Sequence, residues 1–118
     1  MALALGAGSA ILSCDAVWAD APVVEGVSAT RNGDTWRFDV TVSHADEGWE
    51  HYADAWEVIG PDGQVLGTRT LFHPHVTEQP FTRSLSQVVI PDGVTQVQIR
   101  AHDSVHGWGD PIAVDLLE

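Results

Sequence analysis

Six histidines, at positions 44, 51, 73, 75, 102 and 106, are the residues of this chain whose type and spacing could do chemistry. Carboxylates accompany them: Asp46, Glu47 and Glu50 near the first pair, Glu78 near the second, Asp103 and Asp110 near the third. Neutral imidazole is a good ligand for Zn(II) and Cu(II), and a carboxylate can complete the shell or orient an imidazole from behind. In His73-Pro74-His75 an extended backbone sends both rings to one side, the spacing used by metal pairs carried on strands. His102 and His106 bracket the end of an alternating segment and the turn at Gly107-Trp108-Gly109. The expectation is a Cu(II) or Zn(II) site built from His73, His75 and His102 or His106. His44 and His51 are further candidates, and Asp103 or Glu78 supplies a ligand or an imidazole orienter.

A plainer expectation competes with this one. The imidazoles could hydrogen-bond carboxylates and backbone carbonyls to hold long loops, or form a pH-responsive surface. Neighbouring carboxylates raise histidine pKa values in either case, so residue types alone do not separate the two.

Other chemistries are excluded or poorly supported. A blue-copper centre needs a thiolate, and the lone cysteine, Cys14, lies in a leader-like segment. A copper carrier that binds through its amino-terminal imidazole would need histidine where Asp20 stands. Ser104 sits near His102, Asp103 and His106, but no nucleophile-elbow glycines surround it. No His-Glu-x-x-His helix is present either. The reading is a metal carrier or sensor and not an enzyme. The runner-up is a metal-free module that presents the same loops, with Trp49 and Trp108, to a protein or glycan.

The elements that must position these residues are strands. Residues 35–44 alternate, with Trp36, Phe38, Val40 and Val42 on one face and Arg37, Asp39, Thr41 and Ser43 on the other. Residues 95–103 alternate again, Val97, Ile99 and Ala101 opposite Gln96, Gln98 and Arg100. Segments 22–30, 52–59, 65–72, 81–90 and 112–117 complete seven strands. Turn chemistry separates several of them: Asn32-Gly33-Asp34, Pro61-Asp62-Gly63 and Pro91-Asp92-Gly93. Trp49, Tyr52, Ala53 and Trp56 also fall at helical spacing, with Ser43 as a cap. Strand is preferred, because 56–59 must pair with 65–68 across the Pro-Asp-Gly turn. A single helical turn over 46–50 is compatible with both.

Antiparallel alternation then has a consequence for the histidines. If successive strands run up and down, the connections 44–51, 73–80 and 102–110 all fall at one end, and the two Pro-Asp-Gly turns at the other. Every histidine lies in or beside those connections, and loops clustered at one end are the usual binding surface of a sandwich. Trp36 and Trp56, on strands, are expected in the core.

With its seven strands and Trp56 on the third, the segment after position 19 resembles immunoglobulin and fibronectin type III domains in architecture. The resemblance implies a seven-stranded antiparallel β-sandwich and no function. An inter-sheet cysteine pair and a tyrosine corner are missing, Tyr52 being the lone tyrosine.

Composition bounds the rest. The 118 residues suit one globular domain, taken as 20–118, expected to be a monomer. Seventeen acidic residues against five arginines give a net charge of −12, which repels nucleic acid and anionic lipid headgroups. Residues 1–19 read as a signal peptide cleaved after Ala19, which places the product in the periplasm or outside the cell. The alternative is a lipoprotein anchored through Cys14, after Ile11-Leu12-Ser13. No cysteine follows position 19, so no disulfide supports the domain, and no run of about twenty apolar residues follows it to span a membrane.

Overall fold

Two strands carry the alternation through the centre of the molecule. β2 (Thr35–Ser43) buries Trp36, Phe38, Val40 and Val42. β6 (Gln96–Asp103) buries Val97, Ile99 and Ala101 and then, in the same phase, Asp103. The other strands are β1 (Val23–Asn32), β3 (Ala53–Ile59), β4 (Val65–Thr70), β5 (Phe81–Val88), β7 (Gly107–Trp108) and β8 (Ile112–Asp115). This computed structural model describes residues 21–116; the proposed leader, its cleavage site and Cys14 lie outside the described residues.

The strands form two antiparallel sheets. One has the order β1-β2-β5. The other runs β4-β3-β6, and the free edge of β6 is shared by β7 near His102 and Asp103 and by β8 along Gln96 to Ile99. The architecture is the all-β sandwich that the sequence implies. The eighth strand is the two-residue β7, where the chain folds back on β6 through Gly107 at φ 85°. That left-handed conformation suits glycine, which has no Cβ to clash.

Between the sheets, Phe38, Val40 and Val42 of β2 and Phe81 of β5 share one apolar cluster with Trp56 and Val58 of β3 and Val97 and Ile99 of β6. Each fully buried side chain of this size contributes about 1.5–3 kcal/mol by leaving water, and no disulfide is needed. The segment with helical spacing resolves as strand from Ala53 onward, preceded by a turn around Trp49 and Glu50. β3 is hydrogen-bonded on both edges, to β4 and β6, so its backbone groups are satisfied by the sheet. Among the described residues, no helix is long and apolar enough to cross a membrane.

Candidate metal centre

The period of two that fills the core also aims two polar residues inward at the strand ends. His44 follows β2 in the phase of Phe38, Val40 and Val42, and its side chain is fully buried. Asp103 closes β6 in the phase of Ile99 and Ala101 and is also fully buried. One carboxylate oxygen, Oδ1, accepts the backbone N–H groups of Val105 at 2.7 Å and His106 at 2.5 Å, which shapes the turn into β7. The other, Oδ2, faces three imidazoles: His44 Nε2 at 3.0 Å, His51 Nε2 at 3.1 Å and His106 Nδ1 at 3.3 Å.

His51 is brought in by a short local loop. Glu47 N–H donates to the His51 carbonyl at 2.7 Å and His51 N–H to the Gly48 carbonyl at 3.2 Å, with Gly48 at φ 109°. Behind two of the three imidazoles stands another carboxylate. His44 Nδ1 lies 2.6 Å from Asp46 Oδ1, and His51 Nδ1 lies 2.8 Å from Glu47 Oε1. Asp46 is itself buried and held by N–H donors from Ala53 at 3.0 Å and His75 at 2.6 Å. Gln79 ties two of the loops together, accepting the His44 N–H at 2.9 Å and donating to the His75 carbonyl at 2.8 Å.

The electrostatics follow from this packing. Burial alone would raise the Asp103 carboxyl, but the amides of His106 and Val105 and the imidazoles of His51 and His106 outweigh it. They hold the group well below the usual carboxylate range. Glu47 above all, with Asp103 behind it, raises the His51 imidazole above its ordinary value against the opposing effect of burial.

Chemically, this arrangement has the residue types that could hold a metal ion. His44, His51 and Asp103 each offer a ligand atom within 4.8 Å of the others, and all three are buried. Two ligands of one tetrahedral Zn(II), each about 2.0–2.1 Å from the ion, stand about 3.3 Å apart. His44 Nε2 and His51 Nε2, 3.0 and 3.1 Å from Asp103 Oδ2, lie near that spacing from the carboxylate. Asp46 and Glu47 stand at the Nδ1 atoms of His44 and His51 and orient each ring, the arrangement outer carboxylates take behind metal-ligating histidines.

The remaining sequence candidates divide. His75 is buried, stacked on Phe81 at 3.9 Å with an interplanar angle of 11°, and its Nδ1 lies 3.8 Å from Asp46 Oδ2. Burial, reinforced by the charges of Arg83 and His73, pushes its pKa down. His73 is exposed, its ring 4.9 Å from that of His75. Glu78 is an exposed partner of Arg83 at 3.1 Å, which lowers its carboxyl pKa. His102 points the other way on β6, pairing with Asp54 at 2.6 Å and packing edge-on against Trp108 at 4.8 Å. So the structure gathers His44, His51, Asp103 and His106 into one cluster and sets His73 and His75 beside it. His102 and Glu78 have partners of their own. Asp46 and Glu47 enter the sequence reading only as neighbours, and Gln79 and Asp54 not as site residues at all. Extending the core phase of β2 and β6 by one step would have singled out His44 and Asp103.

No family model matches this chain. A protein of Halomicrobium mukohataei that carries the name of a lipoprotein is 42% identical over 90 residues. Those residues are 76% of this chain and 44% of that protein, so the chain spans less than half of its relative's length. In fold, a hypothetical protein of Pyrococcus horikoshii OT3, known from a crystal structure, matches with a TM-score of 0.56 and 18% identity. That match covers 91% of this chain and 96% of the other, and it speaks for the fold alone.

Proposed function

We propose that this chain is an exported β-sandwich that binds one divalent transition metal through His44, His51 and Asp103, as a carrier or sensor, with His106, 3.3 Å from Asp103 Oδ2, turning in as a further ligand. The observation that carries this is the meeting of three imidazole nitrogens on Asp103 Oδ2, with Asp46 and Glu47 behind two of the rings. Three imidazoles and a carboxylate without a thiolate suit Zn(II) and Cu(II), and two histidines with one carboxylate also suit Fe(II). His106 is half-exposed, so the ion can reach the centre from solvent on that side. The leader-like residues 1–19, and the lipoprotein name of the 42% identical relative, support export.

Calorimetric titration of the metal-stripped chain with Zn(II), Cu(II) and, under anaerobic conditions, Fe(II) tests this reading. Tight binding that the His44→Ala/His51→Ala variant loses is the expected result. Equal binding by the native chain and that variant would sink it.

A second reading has an observation of its own. Trp49, Phe72, Val76, Val105 and Trp108 all lie at the histidine end, and all are exposed, Trp49 by 68% and Phe72 by 72%. Apolar side chains gathered in this way suit contact with a protein or glycan. If contact is the main role, Trp49→Ala with Phe72→Ala abolishes partner capture and the histidine variants leave it intact.

A further inference from the structure

Strand register assembles a second surface on the outer face of the β4-β3-β6 sheet, turned away from Asp103. Thr70 of β4, Ala55 of β3, His102 of β6 and Trp108 of β7 are successive cross-strand partners, so their side chains share one face. Three strand spacings make this row about 14 Å long. Thr68, Glu57 and Arg100 form the row beside it. Trp108 is 41% exposed, and the Arg100 guanidinium lies over its ring, 4.3 Å from the centre. Ala55, the smallest side chain of its row, keeps the floor low between Thr70 and the ring pair of His102 and Trp108. The acids here already hold nitrogen partners. Asp54 Oδ1 stands 2.6 Å from His102 Nδ1, and Glu57 Oε1 stands 2.6 Å from a terminal nitrogen of Arg100.

From this we infer that the outer face of the sheet binds a neutral glycan, its sugar rings laid along the row from Trp108 to Thr70. The charge pattern selects that partner. The chain carries a net charge of −12, yet on these rows each carboxylate is matched, so an ion of either sign would have to break a pair. A neutral polyol needs no such exchange, because carboxylate, imidazole and guanidinium keep acceptor and donor positions to spare for hydroxyls. Thr68 and Thr70 are exposed and add hydroxyls of their own at the far end. The indole of Trp108 supplies a rigid apolar body against which the C–H side of a sugar ring packs. Arg100 holds that indole, and the nearly buried Glu57 holds Arg100, so little side-chain freedom is lost on binding. The inference rests on the contact reading and sharpens it, naming a glycan as the partner and moving the platform from Trp49 to Trp108. It needs no metal.

The test is calorimetric titration of the full chain with cellohexaose, mannohexaose and xylohexaose, and with hexagalacturonate as the charged control. Binding of at least one neutral hexasaccharide with Kd of about 1 mM or tighter, unchanged by a chelator, is the expected result. Trp108→Ala should weaken it at least about tenfold and Trp108→Phe less, because an aromatic face remains, while Trp49→Ala leaves it intact. Near-UV circular dichroism checks folding. If Trp108→Ala does not fold, Ala55→Leu decides, because it raises the floor of the row and must block binding. No binding of any neutral hexasaccharide, or binding that survives these variants, overturns the inference. Stronger binding of hexagalacturonate than of the neutral sugars overturns it as well. Binding lost in Trp49→Ala and kept in Trp108→Ala overturns it but leaves the contact reading at the histidine end standing.

Discussion

The Nε2 atom of His44 lies 3.0 Å from Oδ2 of Asp103, and this contact joins the end of β2 in one sheet to the end of β6 in the other. Both side chains are fully out of water. A charge in that position is tolerated only with its partners in place, so the contact sits among interactions whose loss is costly.

Replacing Asp103 by alanine therefore removes the acceptor for two backbone amides and leaves three imidazoles facing one another. The expected cost is about 3–5 kcal/mol in the metal-free protein, the range for breaking a buried ionic pair. Urea denaturation of native and variant chains checks this, and a loss under about 1 kcal/mol would mean that the cluster is not charged as described.

Glu47 supports His51 from the surface, its side chain being 69% exposed. Glu47→Gln should leave the folding free energy nearly unchanged. Metal affinity should fall by about 10–100-fold, the usual effect of losing an outer-shell partner. Calorimetry on the two proteins measures it, and unchanged affinity would place the ion elsewhere.

Proton linkage has opposite signs at two of the histidines. The raised pKa of His51 makes the folded state bind its proton more tightly than the unfolded chain does. That stabilisation is complete below the ordinary value of about 6.5 and is lost as pH rises through the folded value. The lowered pKa of His75 works the other way: its contribution is complete at higher pH and is lost as pH falls below about 6.5. Metal-free His75→Phe should thus hold its stability better than the native protein from pH 7 down to 5. His51→Gln should do so from pH 6 up to 8. Thermal melts across that range test both signs, and parallel curves for all three proteins would refute them.

Metal affinity itself should fall with acidity, because the imidazoles must shed protons to bind. Between pH 7.5 and 5.5 a loss of at least about tenfold is expected for an ion held by three imidazoles. Saturating metal at about a hundred times Kd should in turn stabilise the fold by about 2.7 kcal/mol, reversed by a chelator. Melting curves with and without metal read this directly.

Gly107 holds φ 85° one residue after His106, and a Cβ there would meet open space. Gly107→Ala is therefore a purely conformational perturbation, costing about 1–2 kcal/mol. Because the same turn sets where His106 points, affinity should drop with stability. Stability lost with affinity intact would show that His106 is not a ligand.

The strands, their inward faces and the collection of histidines at one end were legible in the residues. Period-two alternation in β2 and β6 and the Pro-Asp-Gly turns depend on local backbone geometry, which a sequence carries openly. The helical spacing of Trp49, Tyr52, Ala53 and Trp56 yielded to strand because β3 finds ladder partners on both sides, a non-local gain that spacing cannot register. Which imidazoles come together was also beyond the sequence. His73 and His75 stand out there as a pair, yet Asp103 at the end of β6 meets His44 from the end of β2 in the other sheet and His51 and His106 from two loops. Alternation says which way a side chain faces, and so His102 turns outward while Asp103 turns in. Only the packing of one sheet on the other decides which inward-facing residues meet across the sandwich, because that distance is set by the whole core between them.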